Sequence, residues 1–198
     1  MTKFDQTLNY FKDLFLAESP IRTGSSEENF DDNANINKAS AAKITKNLQK
    51  TDEFVFNGTK LSLFRDRYDM TKIEDNWLTD EPFLASCSTF EEEGKGLNAT
   101  GVWNHQTFKS LCRKLIFNYY LAKYDFVMSD SHHSDNGETY WRKIIDEGLK
   151  KGHYISIVHP NGREEDLQPL RLVMDDEIWG RSTLYGERVK IYSLKKSF

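Results

Sequence analysis

Asp130, His132 and Tyr140 bring a carboxylate, an imidazole and a phenol into residues 130–140. Each can take up or give a proton in a tuned site, so this segment is the first candidate for general acid–base work. The surrounding residues, Asp125-Phe-Val-Met-Ser-Asp-Ser-His-His-Ser-Asp-Asn-Gly-Glu-Thr-Tyr-Trp-Arg-Lys-Ile-Ile145, read as a buried strand, a polar turn and an amphipathic helix. That order sets the polar side chains at the carboxyl end of a strand, where open sheets keep their sites. Each has a plainer role as well: Asp130 as a cap or turn residue, His132 and His133 as loop residues. Asp130, His132, His133, Asp135 and Glu138 also form a metal-like cluster. No His-x3-His pair or cysteine pair accompanies it, and no metal is expected. Glu91, Glu92 and Glu93 are a further carboxylate group and read as a solvated turn.

The elements that must hold these residues follow from periodicity. Phe4, Leu8, Phe11 and Phe15 predict a helix from Phe4 to Ala17, stopped at Ser19-Pro20. Thr23 to Asn37 is polar and reads as a loop; Ala39 to Gln49 predicts a second, weaker helix. Glu53 to Phe64 predicts a hairpin around Asn57-Gly58, whose residue types suit a type I′ turn. Pro82 to Phe90 and Asn98 to Trp103 predict two strands, with Glu91-Glu-Glu-Gly-Lys-Gly96 as the loop between them. A long helix from His105 to Ala122 carries Phe108, Leu111, Cys112, Leu115, Ile116, Tyr119 and Tyr120 on one stripe. Asp125 to Met128 predicts a short buried strand. Gly137 to Lys150 predicts a helix with Tyr140, Trp141, Ile144, Ile145 and Leu149 inward, ended by Gly148 and Gly152. His153 to His159, Leu170 to Met174 and Val189 to Leu194 complete the sheet. Asp175 to Gly186 places Trp179, Arg181 and Tyr185 in a charged, glycine-containing loop that would suit an interface. The fold class expected is α/β or α+β, a mixed and mostly antiparallel sheet flanked by helices, in a single domain with a helical extension over residues 1–50.

Bulk properties narrow the function. The 198 residues carry a net charge of −4, which argues against a general nucleic-acid or anionic-membrane binder. Cys87 and Cys112 are too few for a disulfide framework and read as buried thiols. No signal segment opens the chain and no apolar run spans a bilayer, so a soluble, cytoplasmic protein is expected.

From Pro82 to Val158 the order strand, strand, long helix, strand, helix, strand resembles the core of the GNAT (Gcn5-related N-acetyltransferase) superfamily. Tyr124-Asp-Phe-Val-Met-Ser-Asp130, followed by Gly137-Glu-Thr-Tyr-Trp-Arg-Lys143, is similar to a pattern in GNAT-like proteins of tailed bacteriophages. The resemblance implies an acetyl-CoA or other acyl-CoA cofactor, its pyrophosphate held where the long helix begins. On this chain that stretch is Trp103 to Leu111. Gln106 fills the first position of the family's motif, while Lys109 stands where its first glycine belongs and Leu111 where a small residue belongs. Gln106, Thr107, Lys109, Ser110 and Arg113 are therefore the implied cofactor-binding residues, with Lys109 or Arg113 contacting phosphate directly. Asp130, His132 and Tyr140 would then serve the transfer to an amine. The alternative expectation is a non-catalytic GNAT-like phage protein that binds a host or defence enzyme.

Overall fold

The protein's structure, a computed structural model, describes residues 28–130, 135–167 and 187–193. The expected helix Phe4–Ala17, the strand Leu170–Met174, the Asp175–Gly186 run, and His132 and His133 lie outside the described residues. The chain divides between Asn37 and Lys38 into two compact units. The second unit carries one nine-stranded sheet with helices, a mixed α/β architecture in which all strand pairs but one are antiparallel.

The elements are α1 (Glu28–Asn47), β1 (Lys50–Phe56), β2 (Thr59–Arg67), β3 (Lys72–Thr79), β4 (Leu84–Glu93) and β5 (Gly96–Asn104). A 3₁₀ turn (Gln106–Phe108) leads into α2 (Leu111–Leu115), a π-helical stretch (Ile116–Tyr120) and α3 (Leu121–Lys123). Then come β6 (Phe126–Met128), α4 (Asp135–Lys150), β7 (Ile155–Val158), β8 (Glu164–Asp166) and β9 (Arg188–Tyr192). The order across the sheet is β1-β2-β3-β4-β5-β6-β9-β7-β8.

Local chemistry accounts for several of these elements. At the β1–β2 turn Asn57 has φ 48° and Gly58 φ 81°, the paired positive values a type I′ turn demands. Phe56, Leu61 and Leu63 are buried on the hairpin, as the alternation predicts. Between α4 and β7, the Gly152 N–H bonds to the Leu149 carbonyl and the His153 N–H to the Gly148 carbonyl, which ends the helix.

Other expectations are corrected. Helix α1 covers Glu28–Asn47 and so takes in much of the stretch read as a loop, whose polar composition hides a helical run. Glu91, Glu92 and Glu93 belong to β4, paired with Asn98, Leu97 and Gly96, so they are ladder residues, not a turn. The long helix starts at Leu111, not His105. The His105 Nδ1 accepts from the Thr107 N–H at 3.2 Å and closes a 3₁₀ turn, and Ser110 sits left-handed at φ 70°. Leu149 is 41% exposed and does not face the core; Gly148 does, against Ile155 and Phe117. Strand β9 enters the sheet between β6 and β7, so Val189 and Ile191 are interior rather than terminal.

Strand β3 was passed over altogether. Its sequence, Lys-Ile-Glu-Asp-Asn-Trp-Leu-Thr, sets three polar residues in the middle of a strand, which breaks the alternation on both faces. Glu74, Asp75 and Asn76 are nevertheless all buried. Adjacent strand residues point to opposite faces. Trp77 packs with Tyr119, Tyr120 and the main core beneath the helices, whereas Leu78 packs with Ala41 and Ile44 of α1. The central sheet is therefore covered on both sides within this unit.

Candidate functional site

The one parallel pair in the sheet is also its shortest junction. Strands β5 and β6 meet only at Leu97↔Val127 and Asn98↔Met128. Beyond Asn98, residues 99–104 of β5 have no partner on that edge among the described residues. Strand β6 turns away at this point: the Ser129 N–H bonds to the Val189 carbonyl at 2.8 Å, and the Val189 N–H bonds back to the Ser129 Oγ at 2.9 Å. On its other side β5 carries a bulge, since Thr89 faces Gly101 and Phe90 faces Ala99, leaving Thr100 extra. Bulges bend a strand and increase its twist, so this one helps turn β5 away from β6. Gly96 fixes where the two strands touch: a Cβ there would lie 2.3 Å from the Phe126 ring.

Helix α2 touches the parted stretch through Cys112. Trp103, within it, offers its carbonyl to the Cys112 Sγ at 3.2 Å. Cys112 approaches Ser86 and Ser88 on β4, and burial pushes its thiol up to about 11. Burial likewise pushes Cys87 well above the ordinary thiol range, so both cysteines stay protonated at neutral pH and neither is an activated nucleophile. Tyr140 from α4 lies beside Cys112 and Arg113. Burial raises its phenol well above the usual range, Cys112 adds to that rise, and Arg113 opposes it. The Tyr140 hydroxyl is buried and has no hydrogen-bond partner among the described residues; the Ser86 Oγ is in the same condition.

The predicted site residues therefore separate. Tyr140 stands beside Cys112 and Arg113 of α2. Asp130 is half-buried just past the end of β6, with its backbone carbonyl taking the Ser129 hydroxyl at 3.0 Å. His132 lies outside the described residues. Gln106, Thr107 and Lys109 are exposed and precede the helix rather than forming its first turn, and Ser110 is half-buried. Arg113 is turned toward α4, where its Nε lies 3.1 Å from Glu147. Glu147 also holds Lys114 at 3.1 Å and Lys151 at 3.0 Å.

Sequence reading missed the polar core of the sheet. On the helix side, Asp75 accepts from the Arg65 Nε and Nη2 at 2.6 and 2.8 Å and from the Tyr120 hydroxyl at 3.0 Å. The Trp77 Nε1 donates to the same hydroxyl at 3.3 Å, and an Arg65 Nη1 reaches the Tyr124 hydroxyl at 3.4 Å. Burial works against the Arg65 charge, but the hydrogen bond and charge of Asp75 raise its pKa overall. On the α1 side, Glu74 takes the Tyr68 hydroxyl on Oε2. Burial raises the Glu74 pKa; Tyr68, Asn76 and Cys87 nearby partly offset that rise. Its Oε1 and both amide atoms of Asn76 have no hydrogen-bond partner among the described residues. A polar triplet interrupting an otherwise strand-like run was the available signal.

No protein-family profile and no curated protein sequence matches the chain. Among the described residues no group of three or more His, Cys, Asp or Glu could hold a metal ion. Among the same residues no helix is long and apolar enough to cross a membrane.

Proposed function

We propose that the protein is a divergent GNAT-fold N-acyltransferase that uses acetyl-CoA or another acyl-CoA on an amine. The observation that carries this reading is the parting of β5 and β6 after two rungs. Two parallel strands that separate leave a row of backbone N–H and C=O groups on β5 able to pair with an extended, amide-bearing ligand such as a pantetheine arm. The order of elements is in keeping with the resemblance: strand, strand, helix, strand, helix, strand, with a late strand entering between β6 and β7.

The chemistry follows from what borders that edge. The neutral amine nitrogen attacks the thioester carbonyl, the C–S bond breaks as the C–N bond forms, the nitrogen releases a proton to solvent, and the departing thiolate takes one up. Tyr140 is suited to give that proton: its phenol is held protonated by burial, and its hydroxyl has nothing else to donate to. Gln106, Thr107, Lys109 and Ser110, ahead of α2, are the residues that would meet the cofactor's phosphates, and Asp130 flanks the acceptor side.

A second reading is favoured by Arg113. Its engagement with Glu147 takes one of the two cations expected on phosphate, which suits a non-catalytic GNAT-like phage protein that binds a host or defence enzyme. Calorimetry with acetyl-CoA separates the two. Saturable binding that weakens in Lys109→Glu and Gln106→Ala supports the transferase. Absence of binding by any CoA ester rejects it, and a complex with a host protein that survives washing then supports the alternative.

A further inference from the structure

The outer face of the helix layer carries a charge opposite in sign to that of the chain as a whole. The net charge is −4, yet residues 105–123 hold Lys109, Arg113, Lys114 and Lys123 and no carboxylate. On α4, Trp141, Ile144 and Ile145 are buried, so the opposite stripe, with Lys143, Asp146 and Lys150, faces water. Helix α4 closes on the π-helical stretch at Gly148, where a Cβ would lie 3.0 Å from Ile155 and 3.6 Å from the Phe117 ring. That approach sets Lys151 over the same ring at 4.5 Å. It also lets Arg113, Lys114 and Lys151 converge on Glu147, at 3.1, 3.1 and 3.0 Å.

One carboxylate cannot balance three cations. Like charges this close repel, and Glu147 leaves the cluster with an excess of positive charge. Lys150 is matched by Asp146 at 2.6 Å, while Lys143 stands exposed beside that pair. Arg113, Lys114, Lys143, Lys150 and Lys151 thus share the face with only Asp146 and Glu147. The Lys114 and Lys151 side chains are 39% and 36% exposed, so the excess charge reaches solvent. A polyanion laid on this face relieves the repulsion without breaking any of the pairs.

The remaining side chains decide which polyanion fits. Protein interfaces centre on aromatic or apolar anchors and are poor in lysine. Among the described residues of these helices, Leu149 is the one large apolar residue that is exposed. Single strands are held by aromatic rings that stack on bases. Phe117 is buried beneath Lys151 and Tyr140 packs on the core, so neither offers a platform. We infer that the α2–α4 face docks on the phosphodiester backbone of a nucleic-acid duplex and reads no base. Its lysine and arginine heads contact phosphates, and the counterions they release drive the association. The net charge of −4 on the whole chain opposes this and keeps the affinity modest. The inference goes beyond acyl transfer and does not rest on it.

The test uses the full chain and a fluorescently labelled DNA duplex of mixed sequence, read by anisotropy as salt is raised from about 50 mM. Saturable binding is expected, alike for two unrelated sequences. Log affinity should fall against log salt with a slope of about −3, as for about three phosphate contacts. Lys114→Glu combined with Lys151→Glu should weaken binding about 10-fold or more and reduce the slope by about 2. Lys143→Glu, at an exposed position outside the Glu147 cluster, should reduce it by about 1, and it decides the matter if the double variant does not fold. Lys60→Glu, on the β1–β2 hairpin, should leave affinity within about 2-fold. No binding at about 50 mM salt, a slope near zero, or affinity unchanged in the folded variants overturns the inference. Polyglutamate bound as tightly as the duplex overturns it too, and makes an acidic protein surface the occupant.

Discussion

Glu74 and Asp75 are neighbours on one strand, equally sealed from water, and treated in opposite ways. Asp75, on the helix side, has both oxygens bound by Arg65 and one also by Tyr120. Glu74, on the α1 side, takes the Tyr68 hydroxyl on one oxygen and has Asn76 and Cys87 beside it, with no cation paired to it among the described residues. The same contrast recurs in two tyrosines. Tyr120 donates to Asp75 and accepts from Trp77, whereas the buried Tyr140 hydroxyl does neither. A closed network fixes a core and costs heavily to break; a polar group left open is an expense to the fold. The helix-side network is therefore the scaffold, and Tyr140 is the residue to test for function.

The largest test strikes the scaffold. Asp75→Ala leaves the half-buried Arg65 and the Tyr120 hydroxyl without their acceptor and should destabilise by about 3–5 kcal/mol, read by urea unfolding. A loss under about 1 kcal/mol would mean that the closed network is not what holds β2, β3 and the π-helical stretch together.

The tyrosine pair sharpens the comparison. Tyr120→Phe should cost about 1–3 kcal/mol, because it strands the buried Trp77 N–H and removes one of the two donors to an Asp75 oxygen. Tyr140→Phe removes a hydroxyl with no hydrogen-bond partner among the described residues, so stability should stay within about 0.5 kcal/mol or rise slightly. Acetyl transfer should nonetheless fall about 10²-fold in Tyr140→Phe. If both variants lost stability equally, the Tyr140 hydroxyl would have a structural partner and the contrast would collapse.

Gly96→Ala tests the junction from which the strands part. A Cβ 2.3 Å from the Phe126 ring forces that ring or β6 to move, at a cost of about 1–3 kcal/mol in thermal or urea unfolding. Affinity for acetyl-CoA should drop with it, since the parted edge starts two rungs beyond. Unchanged affinity in the folded variant would separate ligand binding from the β5–β6 junction.

How much of this could be read in the chain depends on which force dominates each segment. The hairpin at Asn57-Gly58 was legible because positive φ leaves a residue-type mark. Strand β6 and helix α4 were legible because their apolar periods are clean. Strand β3 was not: Glu74 and Asp75 are buried against polar partners 6 to 45 positions away, and alternation rules see only local hydrophobicity. The helix start failed for a related reason. Residues 105–110 fit the apolar stripe, but a side-chain cap at His105 and a left-handed Ser110 decide the geometry there. Tyr140 stood out by residue type and position. That its hydroxyl would be buried without a partner depends on Cys112 and Arg113 of another element, which spacing does not report.

A smaller effect distinguishes Glu74 by the sign of its pH dependence. Its carboxyl is raised in the folded chain, so the folded state holds the proton more tightly than the unfolded state. That stability is fully present below the ordinary carboxyl pKa and is lost as pH rises through the folded value. Glu74→Gln should flatten the decline, measured as unfolding free energy from about pH 4 to pH 8. A wild-type curve that does not fall over that range, or a decline retained in the variant, would show that Glu74 is paired when ionised.

Asp52 should give the opposite sign and the smallest size. On β1 it accepts from Lys123 and from Tyr119 at 2.8 Å, and chiefly through Lys123 its carboxyl is lowered to about 2. Lowered in the folded chain, it stabilises above the unfolded value near 3.8 and loses that stabilisation as pH falls toward 2. Its side chain is 36% exposed, so solvent screening holds the contribution to about 1 kcal/mol or less. Asp52→Asn should remove this acid-side loss between about pH 4 and pH 2 and leave the Glu74 decline untouched, because the two carboxylates share no partner. A change in both limbs at once would couple the exposed pair to the sheet interior, and the division between them would have to be redrawn.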